Sequence, residues 1–149
     1  DITDLVNYES KNLLEVTVSK ESGNESINMA ERTSDYWVFG GIFRPVYLEV
    51  VPNQFIDRIA IDAKADGSFY MDVYIKGTGK AKTVKAEIQT LDGKPFGKTL
   101  VSAINNDASG KAIIRGTLAD PALWNPELPN RLQVVACIST GKKVIYQVS

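Results

Sequence analysis

Residue types that carry chemistry are unevenly represented in this chain of 149 residues. It contains no histidine and a single cysteine, Cys137. Without histidine there can be no Ser-His-Asp or Cys-His nucleophile, and zinc would find almost no ligands. The remaining candidates are 18 Asp and Glu, 17 Lys and Arg, and the aromatic residues. The composition therefore indicates little catalytic equipment, and Cys137 is expected to be a small buried apolar residue.

Aromatic residues are concentrated in one segment, which holds Tyr36, Trp37, Phe39, Phe43 and Tyr47. The first four of these rings could form a sugar-stacking platform, because flat apolar sugar faces pack well on aromatic rings. Core and interdomain packing is the interpretation we favour. Arg44 lies among them, where its guanidinium could contact a substrate. We favour a buried or stacked arginine that fixes this loop.

Charge changes sign near Pro52. Residues 1–52 hold nine acidic and four basic residues, whereas residues 53–149 hold nine and thirteen. We therefore place a domain boundary there, giving domains 1–52 and 53–149.

The chain is shorter than the roughly 250 residues of a barrel enzyme. No apolar run has the length of a membrane span, and the lysines of 80–85 are not interleaved with aromatics as in nucleic-acid binding. We expect neither a membrane nor a nucleic acid as a partner.

Alternating apolar and polar residues predict strands along most of the chain. In the first domain they fall at 14–18 and 46–51, with a polar loop predicted at 20–28. In the second domain they fall at 59–63, 69–75, 84–88, 97–103, 111–118, 131–139 and 143–148. Short strands separated by frequent turns predict an all-β, immunoglobulin-like Greek-key β-sandwich. The residues expected to face its core are Ile59, Ile61, Met71, Val73, Ile75, Val84 and Ile88.

Three stretches, in order along the chain, resemble glycoside hydrolase family 2, the β-galactosidase and β-glucuronidase group. The segment 35–49, DYWVFGGIFRPVYLE, resembles the family motif with Trp37, Gly41 and Arg44 at its defining positions. Before it, DITDLV and NLLEVTV resemble strands of the family's sugar-binding jelly-roll domain. After it, PALWNPELPN at 121–130, with Trp124, resembles a loop of the family's second domain.

The resemblance implies a fragment: strands of a partial jelly roll followed by the immunoglobulin-like sandwich. The family's two catalytic glutamates belong to a (β/α)₈ barrel that would follow, so this chain alone is expected to be inactive, with no catalytic residue and no metal. In the β-galactosidase branch the acidic residue two positions before the motif tryptophan contributes to the sugar and monovalent-cation pocket. Asp35 matches that position, which gives it a substrate-binding role in the complete enzyme only. Trp124 is expected to anchor its loop.

The expected partner is the remainder of the parent glycosidase, above all its barrel, with the sandwich positioning domains around the active site. A homodimer is also expected, because a partial jelly roll leaves an apolar face and strand edges uncovered; covering by the sandwich is the alternative. Two rival functions remain open. One is a free-standing carbohydrate-binding module, and the other is an adhesion sandwich without a sugar role. Carbohydrate binding by the chain alone is expected to be weak or absent. The localisation is unknown, and a bacterial, periplasmic or secreted parent fits the resemblance.

Overall fold

The computed structural model describes residues 1–33, 39–104 and 110–149. They belong to two compact units, Asp1–Leu48 and Glu49–Ser149. All seven strands among the described residues lie in the second unit.

A single short helix, α1 (Glu25–Arg32), is the regular element described in the first unit. The Asn24 side chain caps it by accepting a hydrogen bond of 3.0 Å from the backbone N–H of Ser26. Glu25 in the first turn and Arg32 in the last suit the helix dipole, and Arg32 also pairs with Glu21 at 3.0 Å. The loop predicted at 20–28 is therefore wrong in its second half, where the Asn-Glu pair is a helix-start signal.

The strands predicted at 14–18 and 46–51 are not formed in the described part of the first unit. Leu14, Val16 and Val18 alternate as expected, but each is exposed. A strand is stable only when a neighbour accepts its hydrogen bonds and covers its apolar face. No strand is described within the first unit, so residues 14–18 have no described partner strand there.

The second unit is built from two antiparallel sheets. The strands are β1 (Gln54–Ala63), β2 (Ser68–Gly77), β3 (Thr83–Thr90), β4 (Leu100–Ala103), β5 (Lys111–Thr117), β6 (Leu132–Thr140) and β7 (Lys143–Val148). One sheet has the order β1-β2-β5 and the other the order β4-β3-β6-β7. This division, with β5 returning to the first sheet, confirms the all-β, immunoglobulin-like sandwich.

The core lies between the two sheets and follows the predicted alternation most closely in β2. Met71 and Val73 are fully buried and Ile75 nearly so, while the residues between them face outward. On the other sheet Val84 and Ile88 are buried. Five of the seven predicted core residues are thus confirmed.

The two remaining core predictions concern β1. Ile61 is wrong as a core residue, because 46% of it is exposed. Ile59 is only partly buried, although it packs against the core. Ile61 lies opposite Met71 and so on the same side of the sheet. It lies near the end of the edge strand β1, whereas Ile56, near the start of the same strand, is buried.

Backbone hydrogen bonds define two ends of the sandwich. At the near end, where β1 begins, Thr78 N donates to Asn53 O at 2.9 Å. At the far end, where β1 finishes, Leu118 N donates to Gly67 O at 2.9 Å. The far end carries the β1–β2 turn and the β3–β4 and β5–β6 connections. Strand β7 starts at the near end and runs toward the far end, because Thr140 pairs with Lys143 and Ala136 with Val148.

Gly77 closes the near end of β2. Its φ of +79° lies in the region that side chains other than glycine rarely adopt. A Cβ at this position would lie 1.9 Å from the carbonyl oxygen of Asn53. Position 77 therefore requires glycine for two reasons: its backbone conformation and the close approach of the Asn53 carbonyl.

Candidate functional site

The motif segment shows an exposed arginine stacked on its neighbour. The guanidinium carbon of Arg44 lies 5.7 Å from the centre of the Phe43 ring, and Phe43 is 87% exposed. Gly41 has a φ of +98°, a conformation that glycine permits. Arg44 is itself exposed, and its predicted role in fixing this loop stays a prediction. Asp35 and Trp37 lie outside the described residues. The predicted role of Asp35 in a sugar and cation pocket and the predicted motif role of Trp37 stay predictions.

Of the rings proposed as a sugar-stacking platform, Phe39 and Phe43 are described and both are largely exposed. Tyr36 and Trp37 lie outside the described residues.

Within the described ranges, the structure holds no group of three Cys, Asp or Glu residues placed to bind a metal ion. No described helix is long and apolar enough to cross a membrane.

Trp124 lies on a turn held together by its own hydrogen bonds. The Asn125 side chain accepts from Leu128 N at 2.6 Å, and the Asn130 side chain donates to Leu123 O at 2.8 Å. Trp124 also forms an isolated bridge with Pro129. Its side chain does not fill the core, because 63% of the residue is exposed. The loop is ordered by asparagines, and Trp124 is displayed on it.

The densest cluster of charged and aromatic side chains is on the outer face of the three-stranded sheet. Tyr74 of β2 stands between Arg58 of β1 and Lys111 of β5, its partners in the strand register. The Arg58 guanidinium carbon is 3.7 Å from the ring centre, and the Lys111 ammonium is 5.6 Å away. Arg115 approaches Tyr70 in the same way at 5.2 Å. Each of the two rings therefore has at least one cation beside it.

An ion pair lies at the centre of this face. Lys111 Nζ is 2.6 Å from Asp72 Oδ2, and both side chains are more than two-thirds covered. The hydrogen bond to Asp72 raises the pKa of Lys111 above its usual value, against the opposing effect of desolvation. The other carboxylate oxygen, Oδ1, is buried without a hydrogen-bond partner among the described residues. The pair ties β2 to β5 on the outside of the sheet.

Several of the described carboxylates form ion pairs or cap turns. Besides Asp72, Asp57 pairs with Lys76 at 3.0 Å and Asp62 with Lys64 at 3.7 Å. In the turns, the backbone N–H of Ser68 lowers the pKa of Asp66. Retaining glycoside hydrolysis needs two carboxyl groups about 5–5.5 Å apart, one of them an acid with a raised pKa. The described carboxyl groups with a shifted pKa, Asp66 and Asp92, both have a lowered pKa.

Cys137 is half-buried on the outer face of the four-stranded sheet, opposite Lys85. It is therefore less buried than the sequence predicted. Desolvation raises the pKa of its thiol, which makes it a poor nucleophile at neutral pH. Tyr146, hydrogen-bonded to Glu49 at 3.4 Å, also has a raised pKa, chiefly through desolvation.

Sequence reasoning missed the cation–tyrosine face. Tyr70, Asp72 and Tyr74 alternate visibly along one strand, and that part was readable. Which cations flank them depends on the pairing of β2 with β1 and β5. Strands β2 and β5 are far apart in the sequence, and neither segment alone indicates their register.

Comparison with known proteins gives one family. The sequence profile of "Glycosyl hydrolases family 2" matches residues 54–149, the whole span of β1 to β7. A protein of Formosa agariphila named "Putative beta-glucuronidase" is 28% identical over 135 residues, which are 87% of this chain and 16% of that protein.

Two solved structures share the fold. A beta-glycosidase from Bacteroides vulgatus superposes with a TM-score of 0.59 at 22% identity, over 75% of this chain and 15% of its own. A Bifidobacterium dentium beta-glucuronidase, complexed with coumarin-3-O-glucuronide, gives 0.53 at 20% identity, over 64% of this chain and 17% of its own. The chain thus spans about one sixth of the length of the proteins it matches.

Proposed function

Because this chain belongs to the family 2 glycosyl hydrolases, we propose that it is a non-catalytic β-sandwich portion of a longer glycosidase, where it positions the domains around the active site. The observation that carries the proposal is the extent of the matches. The family profile matches the entire sandwich, yet the chain amounts to about one sixth of its relatives.

The chemistry of the described side chains supports the non-catalytic part of the proposal. Asp57, Asp62 and Asp72 each pair with a lysine. In these contacts each carboxylate binds a lysine on or beside the three-stranded sheet, which supports a structural role.

The architecture supports the positioning part. Two sheets packed over one continuous core form a rigid body, and ten-residue strands extend it by roughly 30 Å at about 3.3 Å per residue. Active sites need their walls held within about 0.5 Å of the productive geometry. A rigid sandwich between two domains can hold them in a fixed relative position, whereas a flexible linker cannot.

We propose a β-galactoside as the substrate of the complete enzyme, because the Asp35-x-Trp37 motif resembles the β-galactosidase branch. Asp35 would then contribute to the sugar pocket and to a monovalent-cation site there. A β-glucuronide is the second candidate, because a related protein and a structural neighbour carry the name beta-glucuronidase.

Turnover assays test both parts. The 149-residue chain and the complete protein would each be incubated with 4-nitrophenyl β-galactoside and 4-nitrophenyl β-glucuronide. We expect turnover by the complete protein only, with the galactoside preferred and the anomeric configuration retained. Turnover that copurifies with the 149-residue chain would refute the non-catalytic role. Preference for the glucuronide would refute the proposed substrate alone.

A free-standing carbohydrate-binding module is the second candidate function, favoured by the exposure of Phe39 (85%) and Phe43 (87%). Calorimetric titration of the 149-residue chain with galactose and lactose separates it from the first. A module would bind at millimolar concentration or tighter and lose binding in Phe39→Ala. Leu13→Ala, which removes an equally exposed apolar side chain, is the matched control. We expect that neither the 149-residue chain nor either variant binds galactose or lactose.

A further inference from the structure

The far end of the sandwich displays large apolar side chains that the core does not use. Three are on the ordered turn described above, Leu123, Trp124 and Leu128, exposed by 53%, 63% and 62%. Two more lie where the other connections leave the sheets, Ile61 at the end of β1 and Leu91 just after β3, exposed by 46% and 56%. The topology thus gathers five such residues at one end.

The Trp124 turn is preorganised for contact. Its asparagine hydrogen bonds, together with Pro126 and Pro129, fix the backbone before anything binds. A rigid loop loses little conformational entropy on association. Between residues 121 and 130 the only charged side chain is that of Glu127, and Asp120 lies just before the turn. Little charge within the turn therefore has to be desolvated on association.

The strand directions indicate which neighbour would meet this end. Strand β7 runs toward the far end and finishes at Val148, four positions short of the β6 start in the register. Polypeptide that continues beyond Ser149 in a complete enzyme therefore leaves the sandwich on the same side as the Trp124 turn. A relative is about six times longer than this chain, and under the proposed function part of that additional length follows Ser149.

The exposed area also favours a domain over a second copy. At about 150–250 Å² for a whole aromatic side chain and less for leucine, the five side chains expose roughly 500 Å² together. A stable complex between separate proteins buries about 800 Å² on each partner. Interfaces between domains of one chain begin at about 300 Å² a side, since the covalent link reduces the entropic cost.

We propose that the far end of the sandwich, including Trp124 and Leu128, is the docking surface for the domain that follows Ser149 in the complete polypeptide. This inference rests on the proposed function, because it requires the chain to be part of a longer enzyme. It adds the surface by which the sandwich fixes the position of its neighbour.

Hydroxyl-radical footprinting tests the proposal, because it labels side chains according to their exposure. The 149-residue chain and the complete protein would be labelled side by side. We expect labelling of Trp124 and Leu128 to fall at least about fivefold in the complete protein, as for residues in a desolvated interface centre. Val101, exposed on the outer face of the four-stranded sheet, is the internal control and should label equally in both.

A pair of variants of the complete protein sharpens the test. Leu128→Asp should restore the labelling of Trp124 to the rate seen in the 149-residue chain, because a buried unpaired carboxylate opposes docking. Val101→Asp introduces the same charge at an exposed position away from the turn and should leave Trp124 protected.

Three outcomes would overturn the inference. The first is equal labelling of Trp124 in the two proteins. The second is protection of Trp124 in the 149-residue chain that grows with its concentration, which would assign the surface to a second copy. The third is protection of that chain by lactose, which would assign it to a sugar. Turnover measured on the same samples separates the two proposals, since a complete enzyme that hydrolyses glycosides with Trp124 fully labelled contradicts only the docking surface.

Discussion

Gly77 and Gly93 form a matched pair that separates two costs of a side chain at a glycine position. Both have strongly positive φ, +79° and +84°. A Cβ at Gly93 would meet nothing within 4 Å, whereas at Gly77 it would lie 1.9 Å from Asn53 O. Alanine at either position therefore meets the same backbone penalty, and only at Gly77 does it meet a neighbour that must move.

The magnitudes follow from these contacts. A left-handed conformation costs an ordinary residue about 1–2 kcal/mol, and alanine recovers about 0.4–1 kcal/mol by restricting the unfolded chain. We therefore expect Gly93→Ala to lower the free energy of unfolding by about 1 kcal/mol. At Gly77 the displaced carbonyl also loses its hydrogen bond from Thr78 N, about 1 kcal/mol, and the backbone shift adds about 1 kcal/mol or more. We expect Gly77→Ala to cost about 3 kcal/mol.

Urea unfolding of the 149-residue chain, followed by far-ultraviolet circular dichroism in the β-sheet region, measures both values. The dependence of the unfolding free energy on urea should be unchanged in the two variants, so the midpoints report stability directly. A difference between the variants smaller than about 0.5 kcal/mol would refute the argument from the Asn53 contact.

Three further predictions concern the core, the ion pair and the thiol. Ile114→Ala, at a fully buried position, should destabilise the sandwich by about 2–5 kcal/mol, and Ile61→Ala by less than about 1 kcal/mol in the same urea assay; equal losses would contradict the burial pattern. Because the folded pKa of Lys111 is raised by Asp72, its contribution is complete below the unfolded pKa and lost as pH rises through the folded one. Lys111→Met should therefore flatten the alkaline fall of the melting temperature above pH 10, and an unchanged slope would count against this. The Cys137 thiol, whose pKa is raised by desolvation, should react with a thiol reagent at pH 8 more slowly in the folded chain than in urea, and equal rates would show that burial does not protect it.

The sandwich was predictable because its signal is local and repeated. In β2 the apolar residues Met71, Val73 and Ile75 alternate with polar ones, and a strand whose two faces differ in polarity has one stable orientation. Turns such as Leu91 to Lys94 fix where the strands stop. Together these local signals are enough to specify seven strands around one core.

The parts that escaped prediction depend on what lies beside a residue in space. Ile61 carries the same alternation as Ile75, but it lies near the end of an edge strand and is exposed. Val16 alternates equally well in a segment where no partner strand is described. The flanking of Tyr74 by Arg58 and Lys111 requires the register of three strands, which no single segment encodes.

The edges of the two sheets bear on how this domain can be carried in a long polypeptide. Strand β1 has a bulge between Ile56 and Arg58, β4 has only four residues, and the β6–β7 pair shifts register at Ile138. The outward residues of β5 include Lys111 and Arg115. Bulges, brevity and charge each discourage a foreign strand from adding to an edge. This domain can therefore complete folding within a longer polypeptide without exchanging strands with β-rich segments beside it.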